Sequence, residues 1–195
     1  MPLLCQRSSI SDNLFELVKL TDFSATADFD CEDPDLNDFF QSDAPNYKSQ
    51  LLAETYAFYL LEDKKKKIGP LAFVALANDV IKLSGSQKER LIHKDKRYLK
   101  VYPAVKIARL GVNKRFKRKG VGTSIVNLLK VLFTTENRTG CRFVTVDAYN
   151  KEPVLAFYEK NEFEFLRERG SKQRTRIMFY DLKRFEVPKG LRTST

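Results

Sequence analysis

The 195-residue chain has no tryptophan, a single histidine and only three cysteines. Each scarcity removes a class of chemistry. Cys5, Cys31 and Cys141 are far apart, odd in number and free of any CxxC or Cys/His spacing. Neither a disulfide framework nor a structural zinc site is expected from them, and a reducing compartment fits best. A Ser-His-Asp or Cys-His mechanism would have to use His93, which sits in the polar stretch QKERLIHKDKR and reads as a solvated loop residue. No run approaches the ~20 apolar residues of a membrane span, and the start MPLLCQRSSISDNLF lacks the apolar core of a signal peptide. A cytoplasmic protein with no membrane partner is therefore expected. The nucleoside-triphosphate loop GxxxxGKS/T, the dinucleotide fingerprint GxGxxG and internal repeats are absent as well.

What is present suits one mixed α/β core. Hydrophobic residues make up 43% of the chain, with 15 Phe and eight Tyr. A single domain over residues 1–195 is expected, with its core at about 15–182 and frayed tails at both ends. Lys and Arg number 35 against 25 Asp and Glu, a net charge of +10. That sign favours an anionic partner: a phosphorylated cofactor, a nucleic acid or an acidic surface. Solvation alone is the competing reading.

Residues 15–23 alternate as a first strand, and Asp33-Pro34 opens a helix with Leu36, Phe39 and Phe40 at helical spacing. A second short helix is predicted over 46–52. TYAFYLLED and IGPLAFVALAND read as a hairpin, with the lysine run at 64–67 as its solvated tip. Residues 84–100 read as a polar, mobile connection. AVKIARLGV is a strand, and in VGTSIVNLLKVLFTT the residues Val121, Ile125, Leu128, Leu129 and Leu132 form one helical stripe. CRFVTVDAY is a buried strand, KEPVLAFYEKN a helix with Pro153 in its first turn, and FEFL and TRIMFYDL close the sheet. The order implies a mixed α/β (α+β) fold: a largely antiparallel central sheet of about six to seven strands with helices on both faces.

Between the strand ending near Val112 and the helix lies KRFKRKGVG, residues 114–122. Gly120 and Gly122 remove side chains where a backbone would approach an anion, and the helix start offers outward N–H groups with the positive dipole end behind them. Arg115, Lys117, Arg118 and Lys119 add a basic rim. The stretch reads as a phosphate cradle, with a plain strand-to-helix turn as the alternative.

These residues resemble the cofactor loop of the GNAT superfamily of acyl-CoA-dependent N-acetyltransferases, Q/R-x-x-G-x-G/A. The matching positions are Lys117, Arg118, Lys119, Gly120, Val121 and Gly122, with Lys117 where Gln or Arg is usual. DAYNKEPVLAFYEKNEFEF resembles the family's closing segment, placing Asn150, Phe157, Tyr158 and Phe163 in register, with Glu162 where Gly is usual. Spacing alone makes Tyr158 a core tyrosine on an amphipathic helix; the resemblance implies that it gives a proton to the departing sulfur. Leu110, Gly111 and Val112 match the strand whose free main-chain groups meet pantetheine, next to a splay between the central strands. Gly111 inside a strand independently suggests a bulge or a close backbone approach. The resemblance thus implies acetyl-CoA as cofactor, held by Leu110, Gly111, Val112, Lys117, Arg118, Lys119, Gly120, Val121, Gly122, Thr123 and Asn150.

The N-terminal half, FDCEDPDLNDFFQSDA with the hairpin after it, resembles the branch that includes the aminoacyl-tRNA-acetylating toxins. Direct attack of a primary amine on acetyl-CoA is implied, the acceptor being charged tRNA or a small-molecule or protein amine. For a tRNA acceptor, Lys64 to Lys67, Lys94, Lys96, Arg97, Lys100 and the rim at 114–119 would contact phosphates. Asp147, Glu152 and Asn113 lie near the right segments, but no base is placed among them. An antitoxin partner and a homodimer are left open. Two other readings stand: a non-catalytic, basic nucleic-acid-binding module, which leaves Gly120, Gly122 and the Asn150–Tyr158 register unexplained, and a degenerate acetyltransferase fold, which the Lys117 and Glu162 departures keep open.

Overall fold

The computed structural model describes residues 5–7, 14–60, 69–135, 139–167 and 173–185. Eight strands form one sheet: β1 (Cys5–Arg7), β2 (Leu14–Lys19), β3 (Glu54–Leu60), β4 (Ala72–Ile81), β5 (Tyr102–Val112), β6 (Phe143–Tyr149), β7 (Glu164–Phe165) and β8 (Thr175–Asp181). Their order is β1-β2-β3-β4-β5-β6-β8-β7. β1–β2, β2–β3, β3–β4, β6–β8 and β7–β8 pair antiparallel, and β5–β6 pair parallel, so the mixed, largely antiparallel sheet is as expected. Where the sequence suggests a frayed N-terminal tail, Cys5–Arg7 pairs with Leu14–Glu16 as a short edge strand. The lysine run at 64–67 and the segment VPKGLRTST lie outside the described residues. Among the described residues no helix is long and apolar enough to cross a membrane.

Among the described residues five α-helices connect the strands: α1 (Pro34–Asp38), α2 (Ala44–Ser49), α3 (Gly85–Leu91), α4 (Val121–Thr135) and α5 (Glu152–Lys160). Asp33 caps α1 by accepting the Leu36 N–H, with Pro34 at the first position, as its sequence signal requires. α3 corrects an expectation. The supposed mobile connection opens with a capping box: the Ser84 Oγ accepts the Gln87 N–H, and the Gln87 side chain accepts the Ser84 N–H. Lys88 then donates to the carbonyls of Arg97 and Leu99, so the residues after the helix are tied back to it.

The chain divides into two compact units, and β4, β5 and α4 each contribute residues to both. The first draws on Met1–Ala77 and Ala108–Leu128. Its core gathers Phe29, Phe39, Phe40, Ala57, Tyr59 and Phe73, with the half-buried Ala108 packed against it. The Phe73 ring stacks on Phe40 at 4.2 Å between centroids and meets Phe29 edge-on at 5.4 Å. Each such buried ring contributes about 1.5–3 kcal/mol through lost water contact. The second unit, Asn78–Ile107 with Leu129–Val187, packs Ile81, Leu83, Ile92, Tyr102, Phe143 and Phe179. There Asp181, buried, receives a two-pronged bond from Arg142, whose Nη2 also donates to the Leu91 carbonyl. A buried carboxylate is stable only when paired in this way.

Candidate functional site

The ladder joining β5 to β6 runs from Ala104–Phe143 to Ile107–Val146. β5 continues for five residues past Ile107, through Leu110, Gly111 and Val112. Gly111 is buried, and a Cβ built on it would stand 2.5 Å from Cε1 of Phe73. The sequence suggests a bulge or a close backbone approach at this glycine, and an aromatic ring of the core fills the space where its side chain would stand.

Asn113 turns the chain. Its N–H donates to the Leu71 carbonyl, its carbonyl accepts the Phe116 N–H, and its Oδ1 accepts the Arg115 N–H. All three groups are committed to the backbone. Lys114 and Lys117 are ion-paired, at 2.8 Å each, with Asp30 and Glu32. The Lys114 ammonium and the Glu32 N–H hold the Asp30 carboxyl well below the usual carboxylate range. These two acids were not legible as part of the loop, because 82 residues or more separate them in sequence. Arg115, Arg118 and Lys119 are exposed, the last 5.6 Å above the Phe116 ring.

Two residues in the left-handed region, Arg118 (φ 59°) and Gly120 (φ 78°), then turn the backbone into α4. The Gly120 carbonyl accepts the Ser124 N–H, closing the first turn, with Val121, Gly122 and Thr123 as the first helical residues. A helix start lacks partners for its leading N–H groups four residues back, and its dipole favours an anion by about 0.3–1 kcal/mol at an exposed site. Exposed backbone, helix start and unsequestered cations together fit a diphosphate. All the loop positions from Leu110 to Thr123 thus lie on one strand–turn–helix segment of the first unit.

Asn150 and Tyr158 belong to the second unit. Asn150 sits in the turn between β6 and α5; its N–H donates to the Arg174 carbonyl and its Nδ2 to that of Gln173. Pro153 stands in the first turn of α5, where a missing N–H is harmless. Tyr158 is buried, in edge contact with Phe157 and Phe163 at 5.0 and 5.3 Å. Burial pushes its hydroxyl well above the ordinary tyrosine range. Past the helix, Glu162 adopts φ 66°, a left-handed conformation that explains why glycine is usual there.

The remaining polar candidates divide by their partners. Asp147 is exposed and pairs with Lys106 at 2.9 Å, while Thr145, buried beside them, donates to Asp79 at 2.6 Å. Lys106 and Asp79 were not singled out by sequence. Glu152 is exposed at the start of α5. Of the cations read as phosphate contacts, Lys94, Lys96 and Lys100 are exposed, whereas Arg97 is spent on the Ile92 and Glu89 carbonyls. His93 is solvent-exposed beside Asp95, as its loop position suggests.

Residues 20–163 match the model of the acetyltransferase (GNAT) family. No curated protein matches the sequence. Among solved structures the chain is similar to a tyrosine-to-phenylalanine mutant of KacT, with TM-score 0.68 and 19% identity over 87% of this chain and 95% of that one. It is similar to AtaT complexed with acetyl-methionyl-tRNAfMet, with TM-score 0.65 and 19% identity over 87% and 95%. AtaTR bound with AcCoA gives TM-score 0.65 and 19% identity over 87% and 94%. Such identities speak to the fold.

Proposed function

Since the chain belongs to the acetyltransferase (GNAT) family, we propose that it transfers the acetyl group of acetyl-CoA to a primary amine, with aminoacyl-tRNA as the acceptor. The observation that carries the cofactor half is the segment Leu110–Thr123, where an exposed basic turn with Gly120 at φ 78° opens a 15-residue helix. Support for the acceptor comes from the exposed cations Arg115, Arg118, Lys119, Lys94, Lys96 and Lys100, and from the likeness to AtaT complexed with acetyl-methionyl-tRNAfMet. A single acetyltransferase domain, cytoplasmic and bound by an antitoxin, completes the reading; in a similar structure AtaT is bound to the C-terminus of the antitoxin AtaR.

When bound, acetyl-CoA supplies a thioester open to attack by an amine. The main-chain N–H groups of Val121, Gly122 and Thr123 would hold the diphosphate, with Arg118, Lys119 and Lys117 at its rim. Leu110, Gly111 and Val112 would offer main-chain groups to the pantetheine, and an N–H among them would donate to the thioester oxygen. Tyr158, a phenol whose burial disfavours the charged form, would give its Oη proton to the leaving sulfur. The α-amine of an aminoacyl ester is a weak base, so its neutral form would attack without a dedicated side-chain base, and the proton that the nitrogen then loses would pass to solvent water. Most of the acceleration is expected from holding the two reactants together.

Titration calorimetry with acetyl-CoA, followed by acetyl transfer to total aminoacylated tRNA and to free amino acids, tests both halves. Micromolar binding that Gly122→Glu abolishes without unfolding the chain is expected, together with label on aminoacyl-tRNA that diminishes as salt is raised. Absence of acetyl-CoA binding would overturn the cofactor assignment; label on free amines alone would overturn the acceptor.

A further inference from the structure

Lys130 interrupts the apolar stripe of α4, yet only 2% of it is exposed. Its Nζ donates to the Asn161 carbonyl at 2.9 Å, approaches Glu162 Oε2 at 3.3 Å and lies 3.9 Å from the centroid of the Tyr180 ring. Burial pulls this ammonium below the usual lysine range, and the Glu162 carboxylate opposes the pull. A buried cation is costly and is tolerated where several partners meet it.

Two of those partners, Asn161 and Glu162, follow the end of α5, and Tyr180 lies on β8. The Asn161 N–H bonds the carbonyls of Phe157 and Tyr158, its Nδ2 donates to the Phe157 carbonyl at 2.7 Å, and the Phe163 N–H donates to the Tyr158 carbonyl at 3.0 Å. The Phe163 ring in turn touches both Tyr158 and Tyr180, at 5.3 and 5.8 Å. Arg184 adds a second cation, donating to the Glu162 carbonyl at 3.0 Å. At the negative end of the helix the Asn161 carbonyl and the Glu162 carboxylate thus meet one ammonium, while the Glu162 carbonyl is met by Arg184.

We propose that Lys130 is a positioning residue for acetyl transfer: it clamps the turn 161–163 and so fixes the height and direction of Tyr158. The proposal rests on the role of Tyr158 given above. Small displacements of a proton donor lower turnover while leaving cofactor affinity alone.

The test compares Lys130→Met, Tyr158→Phe and the double variant, using radiolabelled acetyl-CoA with total aminoacylated tRNA. Calorimetric acetyl-CoA affinity and amide hydrogen exchange over residues 158–163 are read in parallel. Lys130→Met is expected to lower kcat about tenfold or more, leave the acetyl-CoA Kd within about twofold, and speed exchange in that turn. In the Tyr158→Phe background its effect on kcat should vanish, since a residue acting through Tyr158 has nothing further to lose. An equal kcat loss in both backgrounds would reduce Lys130 to general support of the fold, and an unchanged kcat would remove it from catalysis. If Tyr158→Phe alone leaves turnover intact, the role of Tyr158 falls first. Should Lys130→Met fail to fold, Lys130→Gln, which retains a donor for Asn161, takes its place with the same outcomes.

Discussion

Cε1 of Phe73 occupies the space that a side chain at position 111 would need, 2.5 Å from where its Cβ would lie. Phe73 cannot yield, because its ring is fully buried and stacked nearly parallel to Phe40. Gly111→Ala is therefore expected to destabilise the chain by about 1–3 kcal/mol through overpacking. For a chain of this size each kcal/mol lowers Tm by about 2–4 °C. Thermal denaturation reads the shift, and Phe73→Leu in the same chain should restore part of it. An unchanged Tm in Gly111→Ala alone would mean that the ring has room to move.

Thr55 offers the opposite case. Its Oγ1 is fully buried on β3 and has no hydrogen-bond partner among the described residues. Thr55→Val keeps the shape and removes the unsatisfied hydroxyl, so a gain of about 1 kcal/mol and a higher Tm are expected. A loss would reveal that the hydroxyl is bonded in solution.

Glu164 links stability to pH. The Arg90 guanidinium, with help from Arg184, holds its carboxyl below the ordinary value of 4.5. The folded form therefore binds its proton less readily than the unfolded form. The contribution is fully present above pH 4.5 and fades as pH falls through the lower, folded value. Glu164→Gln should melt below the parent chain at pH 7, and the gap should close in acid. A gap that persists in acid would assign the loss to packing rather than charge.

Local pattern made much of the molecule legible. The stripe Val121, Ile125, Leu128, Leu129 and Leu132 is buried throughout, because an apolar repeat of that period has one face to hide. The Asp33-Pro34 start and the β3–β4 hairpin follow equally local rules. What failed needed tertiary partners or a quieter signal. Ser84 and Gln87 spell a helix start, but the charged residues after them masked it. Gly111 announced a tight approach without naming Phe73, and Lys130 gave no sign in sequence that its charge is buried. In the loop, the glycine spacing was readable, whereas Asp30 and Glu32 reach it only through the fold.

The pairing of Lys114 and Lys117 with those acids means that the chain supplies its own counterions at this edge. A phosphate that engages either lysine must exchange for a tethered carboxylate, which then stays nearby instead of diffusing away as a solute ion would. Fewer salt ions are released per contact than a count of cations suggests. The dependence of log K on log salt for a polyanion here is accordingly shallower than the sequence KRFKRK would lead one to draw.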